Sequence, residues 1–255
     1  MFEQNSMKSN VIILTSGLTG SSVLTGLISE AGYWTGDRTV KKKAYDTFEN
    51  EELVRLNQRI FEAADFKEDY LTHFSPAALA RIDSLSRKVD LSEFQAFVEK
   101  CNQHDPWIWK DPRLWMTVHF WKDVVDLRSC KFIVLTRDFR QLWVSTILRR
   151  QIISYRASRG YEEHVRNSAL EFLDRNRLPH LLIRYEDVVV RPGPTITRLN
   201  DYLGSELTLN DLKKIYHKPL YKLPASSPID LAKALLIYAK NYSQRIDAPS
   251  SNGSS

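Results

Sequence analysis

The sequence predicts an α/β fold: a single domain with a central parallel sheet flanked by helices. Three observations lead there. Short apolar runs, each entered from a polar segment, alternate with longer helical patterns. Parallel strands need such helical crossovers, whereas antiparallel neighbours can be joined by a tight hairpin. Finally, 255 residues suffice for one such domain with a sizeable core, and no second domain is required.

Taken in order, the first strand is read at 11–15, where Val11-Ile12-Ile13-Leu14 runs into a turn of small residues. A helix follows at 20–32, with Val23, Leu24, Leu27 and Ile28 at helical spacing. Helices are expected at 47–64, 76–87 and 92–102, the last opened by Ser92 ahead of Glu93. The second strand is 107–110, followed by a helix at 112–126 with Pro112 in its first turn. The third strand, 131–136, leads to helices at 139–151 and 160–176. The fourth, 180–184, leads to helices at 193–203, with Pro194 in the first turn, and at 229–243. The segment Pro249–Ser255 is rich in Ser, Gly and Asn and is expected to be a disordered tail on a domain spanning 1–248.

Two strand-turn-helix units carry phosphate-binding chemistry. In the first, Ser16-Gly17-Leu18-Thr19-Gly20-Ser21-Ser22 supplies small residues that let backbone N–H groups approach an anion, hydroxyls that donate, and the positive end of a helix. Nucleoside-triphosphate loops end in Gly-Lys-Ser/Thr, and here Ser21 follows Gly20 with no lysine, which argues against a P-loop kinase. In the second unit, Arg137 ends a strand and Ser145 lies eight positions on, two turns along the next helix. A planar guanidinium and a helix hydroxyl can grip one phosphate, although Arg137 could also pair with Asp138. Ligands of parallel sheets bind beyond the carboxyl ends of the strands, where Thr15 and Arg137 both fall.

The ordered set of motifs resembles the sulfotransferases that use 3′-phosphoadenosine 5′-phosphosulfate (PAPS), particularly the bacterial-type members. The resemblance spans roughly residues 10 to 205 and includes Trp109-Lys110-Asp111-Pro112-Arg113-Leu114 and Leu182-Ile183-Arg184-Tyr185-Glu186-Asp187, with a weaker match at Phe48-Glu49-Asn50-Glu51. It implies a P-loop-like sulfotransferase architecture in which the first loop cradles the 5′-phosphosulfate, Arg137 and Ser145 grip the 3′-phosphate, and Tyr185 can contact the nucleotide. It further implies sulfuryl transfer to a hydroxyl or amine without a metal, the acceptor being a small molecule, lipid or carbohydrate. Lys110 is the expected cation on the leaving phosphate. Glu49 is the best-matched general base, with Asp111 beside the lysine as a further catalytic candidate. Glu49 could equally belong to a solvated acidic helix start with Glu51 and Glu52. Arg113 reads either as a functional cation or as the partner of Asp111, and His119 reads as packed core. One departure stands out: Leu18 occupies a position where the family usually carries Arg or Lys. Either another cation substitutes or the chain is a catalytically weak nucleotide-binding relative.

Composition is compatible with this reading. The net charge of +5 suits an anionic ligand. Lys41-Lys42-Lys43 reads as a solvated loop, so no nucleic-acid partner is expected. Cys101 and Cys130 sit in no disulfide or metal-ligand pattern. No apolar stretch has the length of a membrane span and the first ten residues read as no signal peptide, so a cytoplasmic location is expected. Tyr33, Trp34, Tyr45, Trp115 and Trp121 are candidates to line an acceptor pocket or to fill core.

Overall fold

The structure, a computed structural model, describes residues 8–43, 45–68, 70, 75–218, 220 and 228–247. The segment expected to form a disordered tail lies outside the described residues. Four parallel strands form the central sheet: β1 (Asn10–Leu14), β4 (Ile108–Lys110), β5 (Cys130–Thr136) and β6 (His180–Arg184), in the order β4-β1-β5-β6. All four lie within one residue of the expected boundaries. β1 is buried along its whole length and pairs on both sides, Ile13 with Lys110 and Leu14 with Val134.

Alternation along β1 explains why helices cover both faces. Ile12 and Leu14 point into one core, with Phe132 and Val134 from β5 and the helices α2 (Glu51–Ala63), α3 (Pro76–Asp83), α4 (Ser92–Asn102), α5 (Leu114–Trp121) and α7 (Tyr155–Arg175). Val11 and Ile13 point into the other, with α1 (Ser21–Ser29), α8 (Tyr185–Val190), α9 (Pro192–Leu203) and α10 (Leu209–Ile215). A smaller apolar cluster joins α6 (Phe139–Leu148) to α11 (Pro228–Lys240).

The first core is unusually aromatic. Trp107 stacks on Trp109 at 4.5 Å, and Trp109 meets Trp121 edge-on at 4.9 Å. Of the aromatics considered for a pocket, Tyr33, Trp115 and Trp121 are buried core, Trp34 stacks on His104, and Tyr45 is exposed. His119 is buried as expected but packs on Phe172, its Nδ1 3.3 Å from Asp83.

Several elements differ from expectation. Residues 47–50, expected to open a helix, belong instead to β3 (Tyr45–Asn50), which pairs antiparallel with β2 (Thr39–Lys42), and the helix starts only after the Asn50 side chain caps it. This hairpin packs on α1 at Gly26, where a Cβ would come within 2.7 Å of the Phe48 ring. Pro112 precedes α5 rather than opening it, because Asp111 turns the chain and Arg113 becomes the residue before the helix. α7 begins earlier than expected, where the Ser154 side chain caps it, and α8 and α10 were not anticipated. α4 begins at Ser92, whose amide and hydroxyl both bond to Asp90.

One buried polar bridge ties the first core to the sheet edge. Asn57, fully buried on α2, accepts from Trp121 Nε1 at 2.9 Å and donates to Asp111 Oδ2 at 3.0 Å. Replacing it by leucine keeps the volume but orphans the indole N–H and one carboxylate contact. Asn57→Leu is therefore expected to lower unfolding free energy by about 3 kcal/mol in urea titrations. A change below about 1 kcal/mol would mean the bridge contributes nothing net.

Candidate active site

Because the four strands are parallel, the turns after β1, β4, β5 and β6 all leave from one edge of the sheet. The first turn is closed by its own hydroxyls. Thr15 donates to the Leu135 carbonyl at 3.0 Å, and its oxygen lies 2.6 Å from that of Thr19. Leu18 and Gly20 both adopt left-handed backbone, at φ 64 and 82. Gly20 is required there for a second reason: a Cβ would collide with the Tyr185 ring at 2.3 Å. The helix α1 that follows has no side-chain cap and no acidic residue in its first turn. The Val23 amide bonds back to the Gly20 carbonyl at 3.0 Å, which leaves the amides and hydroxyls of Ser21 and Ser22, at the positive end of the helix dipole, to an approaching anion.

Arg137 reaches this turn from the end of β5. Its guanidinium donates to the Leu18 carbonyl at 2.7 Å, touches Gln141 Oε1 at 3.5 Å, and lies over the Tyr185 ring at 5.1 Å. Its Nε is buried and makes no hydrogen bond among the described residues. Asp138 is not its partner. That carboxylate caps α6 by accepting from the amides of Arg140 and Gln141, while the Asp138 amide donates to Glu186. Burial pulls the Arg137 pKa down from its ordinary value, yet a guanidinium stays charged near neutral pH. Ser145 donates to the Gln141 carbonyl at 2.8 Å, so Gln141 touches both members of the expected pair. The hydroxyl must rotate off its helix before it can donate elsewhere.

Lys110, Glu49 and Asp111 are brought together at the end of β4. Lys110 is 1% exposed and donates to Glu49 Oε1 at 2.7 Å. Burial pushes the lysine pKa below its ordinary value, and the glutamate opposes that shift. Glu49 is thus no solvated helix start: it sits on β3 as the counter-charge of a buried ammonium. Asp111 is wholly buried and engaged by Asn57 and by both the amide and guanidinium of Arg113. Arg113 is the ion-pair partner of Asp111 and also lies over the Tyr70 ring at 4.4 Å.

One residue of this edge escaped the sequence reading. Glu162, on α7, accepts a hydrogen bond at 2.7 Å from Ser16 across 146 positions of sequence. Burial pushes its pKa up to about 7, against the lowering effect of Ser16. It borders a narrow cleft whose other walls include Leu18, Leu142 and Ile153. The only sequence signal is that Glu162 follows Tyr161, which belongs to the buried stripe of α7 with Val165, Ala169 and Phe172.

No family model and no curated protein matches this chain. Solved structures do. The sulfotransferase domain of the olefin synthase of Synechococcus PCC 7002 superposes with a TM-score of 0.52 at 16% identity, covering 94% of this chain and 98% of that one. The fold is of the sulfotransferase type. A sulfotransferase domain from the curacin biosynthetic pathway gives a TM-score of 0.51 at 17% identity, over 82% of this chain and 77% of that one. At these identities the sulfotransferase-type fold is what the likeness establishes, and the roles of individual residues rest on the geometry above.

That geometry has a consequence for Lys110. Without its carboxylate the ammonium would be buried uncompensated, so Glu49→Gln is expected to cost about 3–5 kcal/mol of stability. Adding Lys110→Met to that variant should recover much of the loss in denaturant melts, as apolar packing replaces the broken pair. Failure of the double variant to recover would place the cost elsewhere.

Proposed function

We propose that this chain transfers a sulfuryl group from PAPS to a hydroxyl or amine of a small-molecule, lipid or carbohydrate acceptor. One observation carries the reading: an uncapped helix N-terminus and a half-buried arginine with an unused, buried N–H are tied together through the Leu18 carbonyl. These are two anion-binding devices that meet at one loop, and an adenosine nucleotide phosphorylated at both the 3′ and 5′ positions has two anions to give them.

The residues present fit such a donor. Backbone amides of Ser16, Gly17, Leu18, Thr19 and Gly20, with the hydroxyls of Ser21 and Ser22, would hold the 5′ end. Arg137 and Ser145 would hold the 3′-phosphate, with Tyr185 behind the arginine. When bound, PAPS supplies an activated sulfuryl group on a phosphate leaving group. Lys110 would stabilise charge on that phosphate, Glu49 would keep the lysine protonated in its buried position, and Asp111 would fix the turn that aims it.

Two facts favour a second reading, a nucleotide-binding relative with little turnover. Leu18 supplies no charge to the first loop, and the Lys110 cation is already matched by Glu49. Binding without transfer would distinguish it.

The donor site is tested by calorimetry. If Arg137 contacts a 3′-phosphate, adenosine 3′,5′-bisphosphate should bind more tightly than adenosine 5′-monophosphate by about 1.5–3 kcal/mol. Arg137→Ala should erase the difference. Equal affinity of the unaltered protein for the two nucleotides would remove the central argument.

A further inference from the structure

We propose that Glu162 is the general base of this site, taking the proton from an acceptor hydroxyl that enters the cleft beside the first loop. The proposal rests on the donor reading above and supplies what that reading lacks, since Glu49 and Asp111 are both committed to cations.

Geometry carries it. Ser16 holds Glu162 Oε2 at 2.7 Å and so fixes the carboxylate against the same turn that would hold the donor. Its other oxygen has no hydrogen bond among the described residues, and the residue lines a cleft with room for a water-sized group. Among the described residues no cation pairs with Glu162. The groups facing it are Ser16 and Leu18 from the first loop, Thr146 from α6, Gln151 and Ile153 from the turn beyond, and Tyr161 from its own helix. Tyr161 is the titratable one of these, and among the described residues no charged group perturbs the carboxyl. Burial then leaves it titrating at about 7, where a base is half ionised and still strong enough to take a proton at neutral pH.

The departure at position 18 acquires a reason. Leu18 and Glu162 line the same cleft, so a cation at 18 would pair with the carboxylate and hold it too acidic to serve as a base. The leucine, with Leu142 and Ile153, instead leaves one side of the cleft apolar, and its room for a water-sized group admits the hydroxyl end of an alcohol while the rest of the acceptor stays outside. In the transfer, the acceptor oxygen bonds to sulfur and the sulfur–oxygen bond to the nucleotide phosphate breaks. The electron pair leaves with that phosphate. The acceptor proton passes to Glu162 and later to solvent.

The test uses labelled PAPS with water and a series of short primary alcohols as acceptors. In the unaltered chain, transfer should rise with pH along a limb centred near 7, and a ¹³C-labelled glutamate carboxyl should titrate with the same midpoint. Glu162→Gln should lose that resonance and that limb and lower transfer at least tenfold, with adenosine 3′,5′-bisphosphate affinity kept within twofold. Ser16→Ala removes the hydrogen bond that lowers the carboxyl pKa, so it should move the limb to higher pH and provides an independent check if the first variant misfolds. Transfer by Glu162→Gln at the unaltered rate, or a limb unmoved by Ser16→Ala, overturns the proposal. So does bisphosphate binding with no transfer at any pH, although that result leaves the donor site standing. Failure of the unaltered chain to bind the bisphosphate sinks the donor reading itself.

Discussion

The constraint on which the rest of this molecule depends is the complete burial of β1 between two parallel neighbours. Its five residues are closed off on both edges and both faces, so their backbone groups must pair with β4 and β5 and their side chains must find two separate cores. Even its polar first residue is used, since Asn10 accepts from the Trp107 amide at 2.8 Å and holds the start of β4 level with it. With the starts aligned and the directions equal, the four strand ends meet on one side. The candidate site is therefore a product of sheet register before it is a product of any single side chain.

The ionisable groups gathered on that edge are compensated in different ways, and the differences separate support from chemistry. Lys110 with Glu49, and Asp111 with Arg113, are matched pairs whose charges are largely spent on each other. Arg137 is held by a carbonyl, a side-chain amide oxygen and an aromatic face, its Nε has no partner among the described residues, and the carboxylates of Glu186 and Asp138 act on it only through space. Glu162 is held by a single hydroxyl. Unspent charge in a water-poor place is costly to maintain and is concentrated where a ligand or a proton is to be received. By that criterion Arg137 and Glu162, which contact the first loop at the Leu18 carbonyl and the Ser16 hydroxyl, are the groups of this edge on which the proposed function and base rest.

How much could be read from the sequence follows from how local each signal is. The two central strands were legible because a fully buried parallel strand is a continuous apolar run, and Val11–Leu14 and Phe132–Leu135 are such runs, while the edge strand β6 was legible from the shorter run Leu181–Ile183 even though Leu182 is exposed. The first loop and Arg137 were legible because their chemistry sits directly after those runs. The β2–β3 hairpin was not: Thr-Val-Lys-Lys and Tyr-Asp-Thr-Phe-Glu-Asn have little apolar content, and what holds the pair is its docking on α1 through Gly26 and Phe48, which no local window contains. Glu162 was hidden for the opposite reason. It lies in a strongly periodic helix beside Glu163, which makes an ordinary surface pair with Arg159, and only the tertiary contact with Ser16 distinguishes the two glutamates. Lys110 was placed correctly at a strand end, but its burial against Glu49 depends on the hairpin and was invisible with it.

The contact from Arg137 to the Leu18 carbonyl has a thermodynamic consequence. Together with the Tyr185 ring packed where a Gly20 side chain would be, it fixes the first loop from both ends through groups that belong to the fold. A loop held in this way has already lost its backbone freedom during folding, so a ligand settling on it has little ordering left to impose. Association at this edge should accordingly be fast and carry only a small entropic penalty from the chain itself. A ligand bound as proposed would have to displace only water and turn the Ser145 hydroxyl off its helix, the behaviour of a preformed receptor rather than one assembled around its occupant.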